Sequence, residues 1–124
     1  MSRKKDARGV VLSCVKAIND EDFGLARQYV SDDLSFIGVL GFRHGADAYF
    51  SDMERMHLKY DVKKVIAQGQ DVCLFCNLTM SGTTIFESGW YRVEDGKISS
   101  LKVVFDPRPI LDRKADRKAD RRAA

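Results

Sequence analysis

Ala7, Val10, Val11, Cys14, Val15 and Ile18 recur at i, i+3, i+4, i+7, i+8 and i+11. This spacing predicts an amphipathic helix that ends near Asn19 to Asp22. Residues 22–30 predict a second, shorter helix, with Phe23, Leu25, Ala26, Tyr29 and Val30 as its apolar positions. Ser31, Asp32 and Asp33 are expected to break it, and the apolar run at 34–40 to form a first strand. A turn through 41–45 then leads to a third helix, on which Ala46, Tyr49, Phe50, Met53, Met56 and His57 share one face. Strands follow at 59–68, 72–80, 84–94 and 98–105. The Asp95-Gly96 pair marks a tight hairpin between the last two, and Asp106-Pro107 stops the chain's final strand. Helices gathered at one end and a run of strands joined by short turns predict an α+β fold.

Composition adds little that alters this picture. The chain has 124 residues, 44% of them apolar and 31% charged, which suits one domain with one core. No apolar run approaches a membrane span, and the basic start lacks the apolar stretch of a signal peptide, so a cytoplasmic protein is expected. Charge is more informative. The net +3 matches that of the tail from Asp112, which holds six Lys or Arg and three Asp, so the body is close to neutral. That argues against a nucleic-acid partner. The tail, 112–124, repeats every four residues and stacks Asp112 over Asp116 and Arg113 over Arg117, so it is expected to be a frayed helix or a disordered end beside a 1–111 domain.

Several phrases resemble the SnoaL-like domains of the nuclear transport factor 2-like superfamily, a group with ketosteroid isomerases and polyketide cyclases. They are VLSCVKAINDEDFGLARQYVSDDLSF and GWYRVEDGKISSLKVVFDPRPIL, within 7–111. The resemblance implies a cone-shaped, strongly curved antiparallel or mixed sheet wrapped round about three N-terminal helices. It also implies a pocket in the mouth of the cone and a homodimer through the outer face of the sheet. The isomerase machinery does not carry over. Aligned on these phrases, the tyrosine position holds Cys14, the base position Gly38 and the second acid position Gly89. Glycine cannot take a proton and a thiol is a weak donor.

Strand alternation shows what else could line the cone. Val72, Leu74, Cys76, Leu78 and Met80 form one apolar row, expected to face inward, and Leu101, Val103 and Phe105 form another. The cyclases and epoxide hydrolases of the superfamily place an acid on their final strands, where this inner row is apolar. The strand at 84–94 departs from that: the alignment turns Ile85, Glu87, Gly89, Tyr91 and Val93 inward. Glu87 near the rim of a greasy pocket would have its pKa raised and could serve as acid or base. It could equally be a rim carboxylate in water or paired with Arg43 or Arg92, and a bulge at Gly89 would reverse the parity.

His57 is the second catalytic candidate, against a core histidine or one favoured by a helix C-terminus. His44 and Asp106 read as turn residues, and Tyr91 as a ligand donor or a packed ring. Cys14, Phe36, Gly38, Met53 and the inward residues of the three strands complete the expected lining. Cys73 and Cys76 match Cys-x-x-Cys, but i and i+3 on a strand point to opposite faces, so neither redox chemistry nor a metal is expected. No cofactor motif is present. Phe75, Trp90 and Val104 fall on the outer face, where they suit the implied dimer. The expected function is the binding of a small, mostly apolar molecule, with or without a modest acid–base step on it. The alternative is a dimeric accessory domain without chemistry.

Overall fold

The computed structural model describes residues 6–112. Helix α1 spans Ala7–Asn19, and the Asp6 carboxylate caps it by accepting from the Gly9 amide at 2.8 Å. Its buried residues are Val10, Val11, Cys14, Val15, Ala17 and Ile18, the stripe its periodicity predicts. Helix α2, Phe23–Gln28, is a single short segment. Helix α3, Ala46–Met56, buries Ala46, Tyr49, Phe50 and Met53.

The strands are β1 (Val30–Ile37), β2 (Phe42–His44), β3 (Lys59–Gln68), β4 (Asp71–Met80), β5 (Thr83–Glu94) and β6 (Lys97–Phe105). They form one curved, mixed sheet in the order β2-β1-β6-β5-β4-β3, parallel at β1–β6 and antiparallel elsewhere. α1 packs across β3 to β6, and α3 across β1 and β2. Between helices and sheet lies the core, with Val11, Val30, Leu34, Val72, Leu74 and Cys76 at its centre. The β5–β6 turn uses positive φ at both Asp95 (53°) and Gly96 (75°), matching the twist of a two-residue hairpin.

Two expectations are corrected. Ser31, Asp32 and Asp33 do not separate α2 from the first strand: β1 begins at Val30 and takes them in. The ladder to β6 is irregular between Val30 and Ser35, and Asp32 and Asp33 are exposed there, so the polar triplet occupies a strand with no alternation to betray it. The expected turn before α3 contains β2, whose three residues are all exposed. The charged repeat from 113 onward lies outside the described residues. Among those residues no helix is long and apolar enough to cross a membrane.

Candidate functional site

One charged side chain is buried among the described residues, and it is Glu87, 3% exposed. Strand alternation puts it there. Ile85, Glu87, Gly89, Tyr91 and Val93 all point into the cone, and the β4–β5 register runs unbroken from Asp71↔Arg92 to Met80↔Thr83. The irregularity of β5 against β6 falls after Arg92, so Gly89 makes no bulge and the parity holds. Across the ladder Glu87 has Cys76 on one side and Phe105 on the other.

Glu87 sits deeper than a rim position. Its Oε1 has no hydrogen-bond partner. Neither arginine reaches it: Arg43 Nε bonds Asp52 at 2.8 Å, and Arg92 Nη1 bonds Asp71 at 3.0 Å. Burial pushes its carboxyl from 4.5 up to about 7, and the Cys76 thiol opposite draws it part of the way back. Tyr49 of α3, Tyr60 of β3 and Tyr91 of β5 lie within electrostatic reach of this carboxylate, and each phenol is raised, chiefly by its own burial. The Tyr49 and Tyr60 hydroxyls are hydrogen-bonded to each other. The Phe36 ring packs 5.3 Å from that of Tyr49. Tyr60 escapes the sequence-based list because it stands alone at the start of a polar-looking strand, and Tyr49 because it reads only as core.

β1 and β6 run parallel and β5 runs opposite, so the C-terminal ends of β1 and β6 and the start of β5 share one end of the sheet. The inward side chains there are only partly buried: Phe36, Val103 and Phe105, with Met80 from β4 and Met56 from α3. This is the mouth of the cone. Gly38 follows β1 at the same end, where a Cβ would meet the Phe36 ring at 3.1 Å. Around it, the turn residues Val39 and Leu40 and the flanking strand ends Ile37 and Phe42 are exposed. Deeper in, Met53, Leu74, Cys76 and Leu78 are packed core, and Gly89 lies beneath Tyr91 and Leu101. A small cavity of about 10 Å³, room for a single water, lies apart from both Glu87 and the mouth, and neither contributes to its walls. Cys14, Tyr49, Tyr91 and Leu101 are among its walls. Cys14 and Tyr91 are thus the predicted lining residues it contains. The Cys14 thiol points at the Ala26 carbonyl oxygen and is pushed up to about 12 by burial, as is Cys76.

The other candidates lie apart. His57 does not continue the α3 stripe: it caps the helix in the left-handed region (φ 50°), and its exposed ring pairs with Glu21. That placement removes it from the interior. His44 is exposed on β2, and the exposed Asp106 accepts from Arg108, which holds its carboxyl down to about 2. Cys73 and Cys76 face opposite sides of β4. On the outer face Phe75 stacks on Phe86 at 6.2 Å, and Trp90 donates to Asp71 at 3.0 Å beneath the Lys102 ammonium. Phe86, Trp90 and Val104 are half-exposed or more.

A family model for the SnoaL-like domain matches residues 11–101. The chain belongs to the SnoaL-like family. This SnoaL-like chain is 41% identical to an NTF2-like protein of unknown function from Cytophaga hutchinsonii, with a TM-score of 0.87 over 90% of this chain and 99% of that one. An LEH-like epoxide hydrolase of M. tuberculosis shares the fold at 23% identity, with a TM-score of 0.73 and 86% of each chain covered. So does an uncharacterized cystatin-fold protein of Novosphingobium aromaticivorans, at 16% identity and a TM-score of 0.72, over 81% of this chain and 98% of that one. No curated protein matches the chain. These solved structures show the shared fold but assign no activity to this chain.

Proposed function

We propose that this SnoaL-like domain binds a small, mostly apolar molecule at the mouth of the cone, and that Glu87 exchanges a proton with it. One observation carries the reading: a glutamate 3% exposed, with an unpartnered carboxyl oxygen, in an otherwise apolar interior. A buried polar atom without a partner costs about 1–3 kcal/mol, and a bound molecule offering a hydrogen bond would recover it. A carboxyl poised at about 7 is half ionised near neutral pH, which suits it to both halves of a proton transfer. Phe36, Met56, Met80 and Phe105 supply apolar contact, and the exposed Val39 and Leu40 flank the entrance. Unbranched Met side chains repack readily, so the packed mouth can widen around a ligand.

The test is carbon-detected NMR of selectively labelled glutamate while small alcohols, ketones, lactones and amines with apolar bodies are added. Binding is expected to move the Glu87 carboxyl resonance, with the shift absent for that site in Glu87→Gln. A full panel that leaves the resonance unmoved would remove the pocket. The second reading, a dimeric accessory domain without chemistry, is favoured by the tight cavity and by the outward Phe75, Phe86, Trp90 and Val104. It would then stand alone.

A further inference from the structure

When ionised, Glu87 has no positive group opposite it among the described residues. The titratable side chains that face it are Tyr49 from α3, Tyr60 from β3, Cys76 from β4 and Tyr91 from β5. Cys14 of α1 lies one step further, against Tyr49 and Tyr91. Phenols and thiols are neutral or anionic, never cationic. β6 and β1 add only Phe105, Val103 and Phe36 on this side. The basic groups near this end are committed elsewhere, Arg43 to Asp52 and Arg108 to Asp106, and no basic group among the described residues acts on Glu87. The surroundings are rich in aromatic rings: Tyr49, Tyr60 and Tyr91 within electrostatic reach, Phe105 across the ladder, and Phe36 against Tyr49.

Building on the pocket proposed above, we infer that its ligand is a small apolar amine, bound as its ammonium, with an N–H donated to Glu87 and its carbon body against the aromatic rings. Three features converge on that class. The unpartnered Oε1 is a carboxylate acceptor, and an ammonium gives it a charge-assisted bond. Ring faces attract a cation once water is excluded. A ketone or ester could engage Glu87 only in its protonated form, whereas an amine uses the ionised form and stabilises it. Nothing among the described interior residues competes as a counter-ion, so the ligand's own charge neutralises the site.

The probes are benzylamine and benzyl alcohol, which have the same number of heavy atoms and differ in charge. Calorimetry at pH 8 is expected to show benzylamine binding at least about tenfold more tightly, the factor that one charge-assisted hydrogen bond supplies. In Glu87→Gln the preference for benzylamine over benzyl alcohol disappears. At pH 6, where the free carboxyl is largely protonated, benzylamine is expected to release a proton on binding, read as a buffer-dependent heat, and benzyl alcohol is not. Equal affinities for the two probes would overturn the amine and leave the pocket standing. A preference that survives Glu87→Gln, with no proton released, would place the amine elsewhere and overturn the assignment. Binding of neither probe would also overturn it, while the pocket itself stands or falls on the glutamate NMR panel.

Discussion

Glu87 should make this protein less stable as the solution becomes more alkaline. In the unfolded chain its carboxyl ionises near 4.5, and in the folded chain burial raises that to about 7. Between the two values the folded state holds a proton that the unfolded state has released. The slope of unfolding free energy with pH follows protons bound in the unfolded state minus protons bound in the folded one, so here it is negative. Stability from this group is highest below pH 4.5, falls through the window from 4.5 to 7, and is flat above. Across that window the loss is about 3 kcal/mol. Glu21, Asp32, Asp71 and Asp106 act in the opposite sense, because their partners lower their carboxyls. A raw stability profile therefore mixes both directions.

Glu87→Gln isolates the interior group, since it keeps the shape, removes the ionisation and leaves the surface carboxylates as they were. Urea denaturation of both proteins at pH 4 and pH 8 gives two differences. The advantage of Glu87→Gln over the parent should grow by about 3 kcal/mol from the lower pH to the higher, whatever the amide itself costs at the site. A difference that stays constant to within about 0.5 kcal/mol would mean that Glu87 titrates normally, is solvated in solution, and is not the group on which the proposed chemistry rests.

His57→Gly should change stability by no more than about 1 kcal/mol, because glycine relieves the left-handed cap as the Glu21 contact is lost, and it should leave ligand binding intact; lost binding would put the histidine back in the site. The parent protein should sediment as a homodimer and the Phe86→Asp, Val104→Asp double variant as a folded monomer. A monomeric parent, or a variant that still dimerises, would remove the outer sheet face as the interface.

The strands were legible wherever burial alternates. β4 and β5 read correctly to the residue in parity because one face is covered by helices and the other is not, so their side chains report the pleat directly. The alignment with the resembled family, combined with alternation, singled out Glu87 as a polar residue in an apolar row. How deep it sits was hidden, since depth depends on Cys76 and Phe105 of neighbouring strands and on Tyr49 of a helix, none close to it in sequence. His57 failed for a local reason. It stands four residues after Met53, but the helix ends at Met56, and a left-handed cap turns the next side chain away from the stripe. β2 has three exposed residues and no pattern to read, and Ser31 to Asp33 sit where the β1–β6 ladder is irregular. The size of the cavity follows from packing, which no periodicity reports.

β5 carries both candidate surfaces on alternate residues, and this ties the two functional readings together. Phe86 and Trp90 point outward, while Glu87 and Tyr91 point inward from the next positions along. The backbone between them is shared, so any contact that fixes the outer row also fixes the orientation of the inner one. A second copy seated on Phe86, Trp90 and Val104 would hold β5 and β6 from outside while a ligand met Glu87 and Phe105 from within. The mouth is lined by partly buried side chains, so a ligand would enter by moving them. Met56 lies on α3, outside the sheet, and Met80 at the last β4–β5 pair, opposite Thr83, so their unbranched side chains can yield while the β5–β6 ladder stays fixed. A pocket and a dimer would then be two faces of one ladder, and binding inside need not disturb the contact outside.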